Sequence, residues 1–172
     1  MTLEEYCNLI ENAFKIHNWN YARNDNGNKS LFIINFLENG ECYAKCNVTV
    51  SDNGICDMNA FFPFKCPGDE SLNKEVTLSC YIANCNYTKR YATLRYDYES
   101  GNIVSSYSFN IFPTMTPEFI LSKFNTVRNM NKDNYNYIKK LCEQQDDKET
   151  QETQETETFI STDQKGKYKI DL

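Results

Sequence analysis

Residues 41–62 read ECYAKCNVTVSDNGICDMNAFF, and their alternation decides the fold. In Glu41 to Val50 the even positions are Cys42, Ala44, Cys46, Val48 and Val50, with Lys45, Asn47 and Thr49 between them. Successive strand side chains point to opposite faces, so this spacing predicts a strand with its even face inward. After the turn Ser51-Asp52-Asn53-Gly54 the period continues through Cys56, Met58, Ala60 and Phe62, with Asp57 and Asn59 on the other side. Neighbouring strands with one apolar and one polar face belong to an antiparallel sheet covered on one side.

Upstream, Leu31 to Glu38 is a further strand, joined through Asn39-Gly40, a pair that suits a two-residue hairpin turn. Thr2 and Glu5 have capping-box spacing, and Leu3, Cys7, Ile10, Phe14 and His17 recur at helical intervals. That helix is expected to end near Asn18, with Trp19 to Arg23 leading into extended chain and a turn at Asp25-Asn26-Gly27-Asn28. Downstream, Phe64-Lys65-Cys66-Pro67-Gly68 interrupts the sheet, and a second helix is expected from about Asp69–Ser71 to Asn86. Arg90 to Glu99 and Asn102 to Ile111 read as a hairpin around Ser100-Gly101. Thr116-Pro117-Glu118 combines an N-cap, an N1 proline and a first-turn acid, and opens a third helix carrying Ile120, Phe124 and Val127. Asn129, Asn131, Asp133 and Asn134 are poor helix formers, which predicts a break near Asp133 and a short last segment through Ile138 and Leu141. The expectation is an α+β domain over residues 1–142, an antiparallel five-stranded sheet with helices packed on one face, in the order α-β-β-β-α-β-β-α.

From Glu143 the character changes. Glu149 to Thr158 is a repeat of Glu, Thr and Gln without an apolar residue, so residues 143–172 are expected to form a disordered acidic tail, with Phe159-Ile160 as a short apolar pair beyond the repeat. The tail holds nine acids and four bases, which leaves fifteen acids against fourteen bases for Met1 to Cys142. A nearly neutral domain has no basic stripe to meet phosphates, so no nucleic-acid partner is expected. The opening Met1-Thr2-Leu3-Glu4-Glu5 is acidic and no apolar run approaches a signal-peptide core or a membrane span. The chain is therefore read as cytoplasmic, without a membrane partner, its eight cysteines free thiols.

Catalytic chemistry finds few groups. Cys42 and Cys46 on one strand would stand about 13 Å apart, too far for two thiolates on one zinc. Cys80 and Cys85 would sit about 140° apart around a helix. His17 is the only histidine and lies at a helix end, where an imidazole suits the terminal carbonyls. Phosphate-loop and dinucleotide fingerprints are missing from the sequence. No catalytic residue, cofactor or metal is expected. Twelve Tyr and eleven Phe are more suggestive. Tyr43, Phe61 and Phe64 are placed opposite the core face, where aromatics would form a partner surface; the competing reading is half-buried sheet residues favoured by β-propensity. In the fourth strand Tyr91, Thr93, Arg95 and Asp97 share one face, and Ala92, Leu94, Tyr96 and Tyr98 the other.

The order helix, three-stranded meander, helix, hairpin, helix resembles the YbjN-type family, whose members have the type III secretion chaperone-like fold. The resemblance is carried by Trp19, by the strands Ala44 to Val50 and Ile55 to Met58, by Phe61-Phe62-Pro63-Phe64 to Pro67, by Tyr81 to Asn86, by Tyr91 to Tyr96, and by Gly101-Asn102-Ile103, over about Leu3 to Leu141. It implies helices on one face of an antiparallel sheet, a tendency to form a homodimer, and a non-catalytic chaperone-like or regulatory protein-binding role. The aromatic-rich strands and the acidic tail depart from that pattern. A small-ligand-binding domain with its pocket between helices and sheet is the alternative.

Overall fold

The alternating strands at residues 41–62 become the centre of a six-stranded antiparallel sheet. The computed structural model describes residues 1–66, 72–88 and 92–143. In chain order the elements are α1 (Leu3–Ile16), β1 (Tyr21–Asn26), β2 (Lys29–Glu38), β3 (Glu41–Ser51), β4 (Ile55–Lys65), α2 (Leu72–Thr88), β5 (Thr93–Asp97), β6 (Asn102–Asn110) and α3 (Pro117–Glu143). The strands lie in the order β1-β2-β3-β4-β6-β5.

The sixth strand corrects the expected five. β1 pairs with β2 from Tyr21↔Ile34 to Asn26↔Lys29, so the turn shrinks to Gly27-Asn28, with Gly27 at φ +60°. Residues that read as turn formers are held in the strand by their partners. Arg23 reaches Glu4 (2.6 Å) and Glu11 (3.1 Å) on α1 and Asp25 (2.8 Å) within β1, while the Ser30 hydroxyl donates to Asp25 at 2.6 Å. The bonds to Glu4 and Asp25 hold the guanidinium proton tightly, raising its pKa. This cluster fastens α1 to the edge of the sheet.

The first helix begins as expected, with the Thr2 and Glu5 side chains each accepting from the other residue's backbone N–H. It ends in a Schellman arrangement: Asn18 takes φ +52°, and the N–H groups of Asn18 and Trp19 donate to Lys15 and Phe14 carbonyls. Trp19 is thereby returned onto Phe14, ring centroids 6.0 Å apart. Asn39 (φ +52°) and Gly40 (φ +84°) turn the β2–β3 hairpin, both in the left-handed region that a two-residue primed turn requires.

All three helices pack against one face. Cys7, Ile10 and Phe14 of α1 and Ile120, Phe124 and Val127 of α3 meet Phe32, Ile34, Val48, Met58 and Ala60 in the main core. A second cluster joins Leu78 and Ile82 of α2 and Ile138 of α3 to Phe62, Leu94 and Ile103. The helix expected to break at Asp133 runs unbroken from Pro117 to Glu143. The reason is tertiary. Asn131, fully buried, accepts from the Ser105 hydroxyl and donates to the Ala60 carbonyl at 3.1 Å. Asn134 accepts from the Tyr81 hydroxyl at 2.6 Å and donates to the Met130 carbonyl at 2.6 Å. The Asn131 side chain, which would otherwise compete with the helix backbone, is occupied by the sheet, and the Asn134 oxygen by α2. The expected disordered tail lies outside the described residues, apart from Glu143 at the end of α3, as does Tyr91.

Candidate functional site

With the three described helices on one side, the other face of the sheet is assembled from alternate residues of six strands. Strand registers place Ala22, Ile33, Asn47, Asn59, Ser106 and Thr93 in one row. Beside it runs Asn35, Lys45, Phe61, Val104 and Arg95, and on the opposite flank Asn24, Leu31, Thr49, Asp57 and Ser108. Leu31, Ile33, Phe61 and Val104 are half-buried here, held by their neighbours on the sheet.

The middle of this face is polar and linked by hydrogen bonds. Arg95 donates to the Ser106 hydroxyl at 2.6 Å and reaches Asn59 at 3.4 Å, and Ser106 donates to Asn59 at 2.8 Å. Ser108 donates to Asp57. Beside Asn59 stands Asn47, whose Oδ1 is shielded from solvent without a hydrogen-bond partner; such groups ordinarily have one. Near the β5–β6 turn, the Ser100 hydroxyl and then the Ser100 and Glu99 amides hold the Asp97 carboxyl below its usual range, with Lys65 contributing.

The two sheet edges differ. At β5 the side chain of Asn86 substitutes for a missing strand: it accepts from the Leu94 N–H at 2.7 Å and donates to the Leu94 carbonyl at 2.8 Å. Strand addition at that point is blocked. β1 forms the other edge, and Ala22, Asn24, Asp25 and Asn26 along it are exposed.

Of the three aromatics expected on this surface, Phe61 is there, half-buried between Lys45 and Val104. Tyr43 is not; it is 4% exposed in the core. A β-bulge pairs Phe36 with Ala44 but Leu37 with Cys42, leaving Tyr43 as the extra residue and turning it and Ala44 to the helix side together. Its ring stacks on Phe36 and its hydroxyl accepts from Arg128 Nε at 2.8 Å. Phe64 also belongs to the helix side, continuing the alternation of Phe62 and touching Tyr135 edge-on at 5.5 Å. The polar network of Asn59, Ser106 and Arg95 was only partly visible in sequence: parity marked Asn59 as outward and set Arg95 on a face with Thr93 and Asp97, but only strand order brings them together.

The thiols and the histidine take structural places. Cys46 and Cys56 are buried, and burial pushes the Cys46 thiol up to about 12 and raises Cys56 further from reactivity. The bulge takes Cys42 off the core side, opposite Leu37, so it no longer shares a face with Cys46. His17 caps α1 and stacks on Trp19 with centroids 5.7 Å apart. Among the described residues no group of three or more His, Cys, Asp or Glu side chains is arranged to hold a metal ion, and no helix is long and apolar enough to cross a membrane. The fold defines an α+β protein with a one-sided antiparallel sheet. No protein-family model matches the chain, and no curated protein matches it.

Proposed function

We propose that this chain is a non-catalytic protein-binding module, chaperone-like or regulatory, which works in the cytoplasm through the open face of its sheet. The observation that carries this reading is the cover on one side only: three helices share one face, while Leu31, Ile33, Phe61 and Val104 stand half-buried on the other. Aromatic residues and arginine are enriched in protein interfaces, which also carry hydrogen-bonding groups, and Phe61 and Arg95 stand side by side with Val104 on this face. One-sided helix packing also supports the YbjN-type resemblance, with β1 as an added strand and a homodimer as the simplest assembly. The small-ligand alternative has less support, since the layer between helices and sheet holds Phe14 with Tyr21, Phe32 and Phe124 around it at 5.0–5.7 Å.

Sedimentation velocity on the full chain tests the proposal. A homodimer gives a mass of about twice 20.1 kDa, and Ile33→Ser with Phe61→Ser weakens association at least about tenfold, equivalent to about 1.4 kcal/mol, with little change in the unfolding midpoint. A strictly monomeric chain that recovers no protein partner, and is stabilised by a metabolite in a thermal-shift screen, transfers the assignment to the small-ligand reading.

A further inference from the structure

The open face is more basic than the domain as a whole. Register places Lys29, Lys45, Lys65 and Arg95 on it, against Asp57 and Asp97, whereas Met1 to Cys142 carries one more acid than base. Lys45 and Arg95 are exposed, and neither forms an ion pair among the described residues. They bracket Phe61 and Val104 in one row, so cation, aromatic, aliphatic and cation follow one another across β3, β4, β6 and β5.

The chain itself carries the complement. Glu149 to Ile160 holds four glutamates, no base, and ends in Phe159-Ile160. α3 delivers it close by: Ile138 shares a buried cluster with Cys66, and Leu141, Cys142 and Phe64 pack against that cluster, which reaches the end of β4 where Lys65 pairs with Asn102. The Lys45–Arg95 row is the next one in from that sheet end. From Glu143 to Phe159 an extended chain reaches about 50 Å, ample to round the sheet end. Arg95 and Phe61 are two strand spacings apart, about 10 Å, and in extended chain Glu155 and Glu157 lie about 13 and 7 Å from Phe159. A phenylalanine on Phe61 thus sets a glutamate near Arg95.

We propose that Glu149–Ile160 docks intramolecularly across Lys45, Phe61, Val104 and Arg95, so that a partner must displace the chain's own acidic segment. This inference rests on the open face being the binding surface, as proposed above. Lys65 meets the segment first, the two flanking cations hold its carboxylates, and Phe159-Ile160 covers the apolar pair. Contacts between exposed charges are individually weak and screened by salt, which keeps the segment displaceable.

Zero-length carbodiimide coupling of the full chain, as an equal mixture of ordinary and nitrogen-15-labelled protein, reads this directly. Mass spectrometry is expected to find isotopically unmixed links from Lys45 or Lys65 to Glu149–Glu157. Their yield should fall at least about fivefold in roughly 0.5 M salt and in Phe159→Ser. Equal coupling of those glutamates to Lys15 and Lys132 on the helix side, isotopically mixed links, or no coupling overturns the proposal. A negative result leaves the association test intact, because sedimentation reads assembled mass and not the position of the tail.

Discussion

Replacing asparagines of α3 by alanine should have opposite effects at Asn129 and Asn131. On helix propensity alone both changes stabilise, by roughly 0.5 kcal/mol each. Asn129 is exposed, so nothing opposes the gain. Asn131 is fully buried and ties α3 to β6 through Ser105 and to β4 through the Ala60 carbonyl. Without its amide, Ser105 retains the Val127 carbonyl at 3.3 Å, but the Ala60 oxygen loses the bond from α3 and a small void replaces the carboxamide. Losing a buried hydrogen bond and leaving a void together cost about 1–3 kcal/mol, so the net loss after the propensity gain is about 1.5 kcal/mol. With a urea slope of about 2 kcal/mol/M, Asn131→Ala lowers the midpoint by about 0.75 M while Asn129→Ala raises it by about 0.3 M. Asn131→Asp, which turns an oxygen toward the Ala60 carbonyl, should cost more than Asn131→Ala. If both alanine variants raise the midpoint, the Ser105–Asn131–Ala60 link is not what keeps α3 continuous.

Alkali should destabilise the fold through its core thiols. The folded-state values of Cys46 and Cys56 are raised above the usual 9.0 by burial, so their contribution is complete below pH 9 and is lost as pH rises, for Cys46 toward its folded value of about 12, at roughly 1 kcal/mol per pH unit in that window; Cys56 acts in the same direction. Urea midpoints at pH 8 and pH 10 measure this, and Cys46→Val should reduce the difference. Gly54 has φ +80°, and an added Cβ would lie 2.9 Å from the Tyr6 ring, so Gly54→Ala should cost about 2–3 kcal/mol in denaturation. Gly27→Ala, with φ +60° and nothing within 4 Å, should cost only about 1 kcal/mol. Asn86→Ala strips the Leu94 N–H and carbonyl of their partners; it should lower stability by about 1 kcal/mol and increase concentration-dependent self-association in sedimentation, as an unprotected edge does.

Local chemistry made much of the fold legible. The Thr2–Glu5 capping box, Asn39-Gly40 and the alternation from Cys46 to Phe62 each fix geometry within a few residues, and the structure contains each of them. β1 and the continuity of α3 were not legible, for a common reason. Asp25, Asn26, Asn131 and Asn134 are turn formers or helix breakers by intrinsic preference, yet Asp25 is held by side chains of its own hairpin, Arg23 and Ser30, and two others by groups distant in sequence, Asn131 by Ser105 and Ala60 and Asn134 by Tyr81. Propensity describes what a polar side chain does when only its own backbone is near.

The open face was harder to read, because parity holds only while the ladder stays regular. One extra residue opposite Phe36–Leu37 moves Tyr43 into the core and Cys42 out of it, and neither displacement leaves a mark in the alternation of residues 41–50. The row that matters, Lys45–Phe61–Val104–Arg95, joins positions 16, 43 and 9 residues apart, and the last two strands enter in reversed order because β6 lies between β4 and β5. A reading along the chain finds Arg95 on one of the two faces of a hairpin strand and Phe61 on the outward side of a meander. Only strand order makes them neighbours, and only that adjacency gives an acidic segment ending in Phe159-Ile160 a surface of matching chemistry.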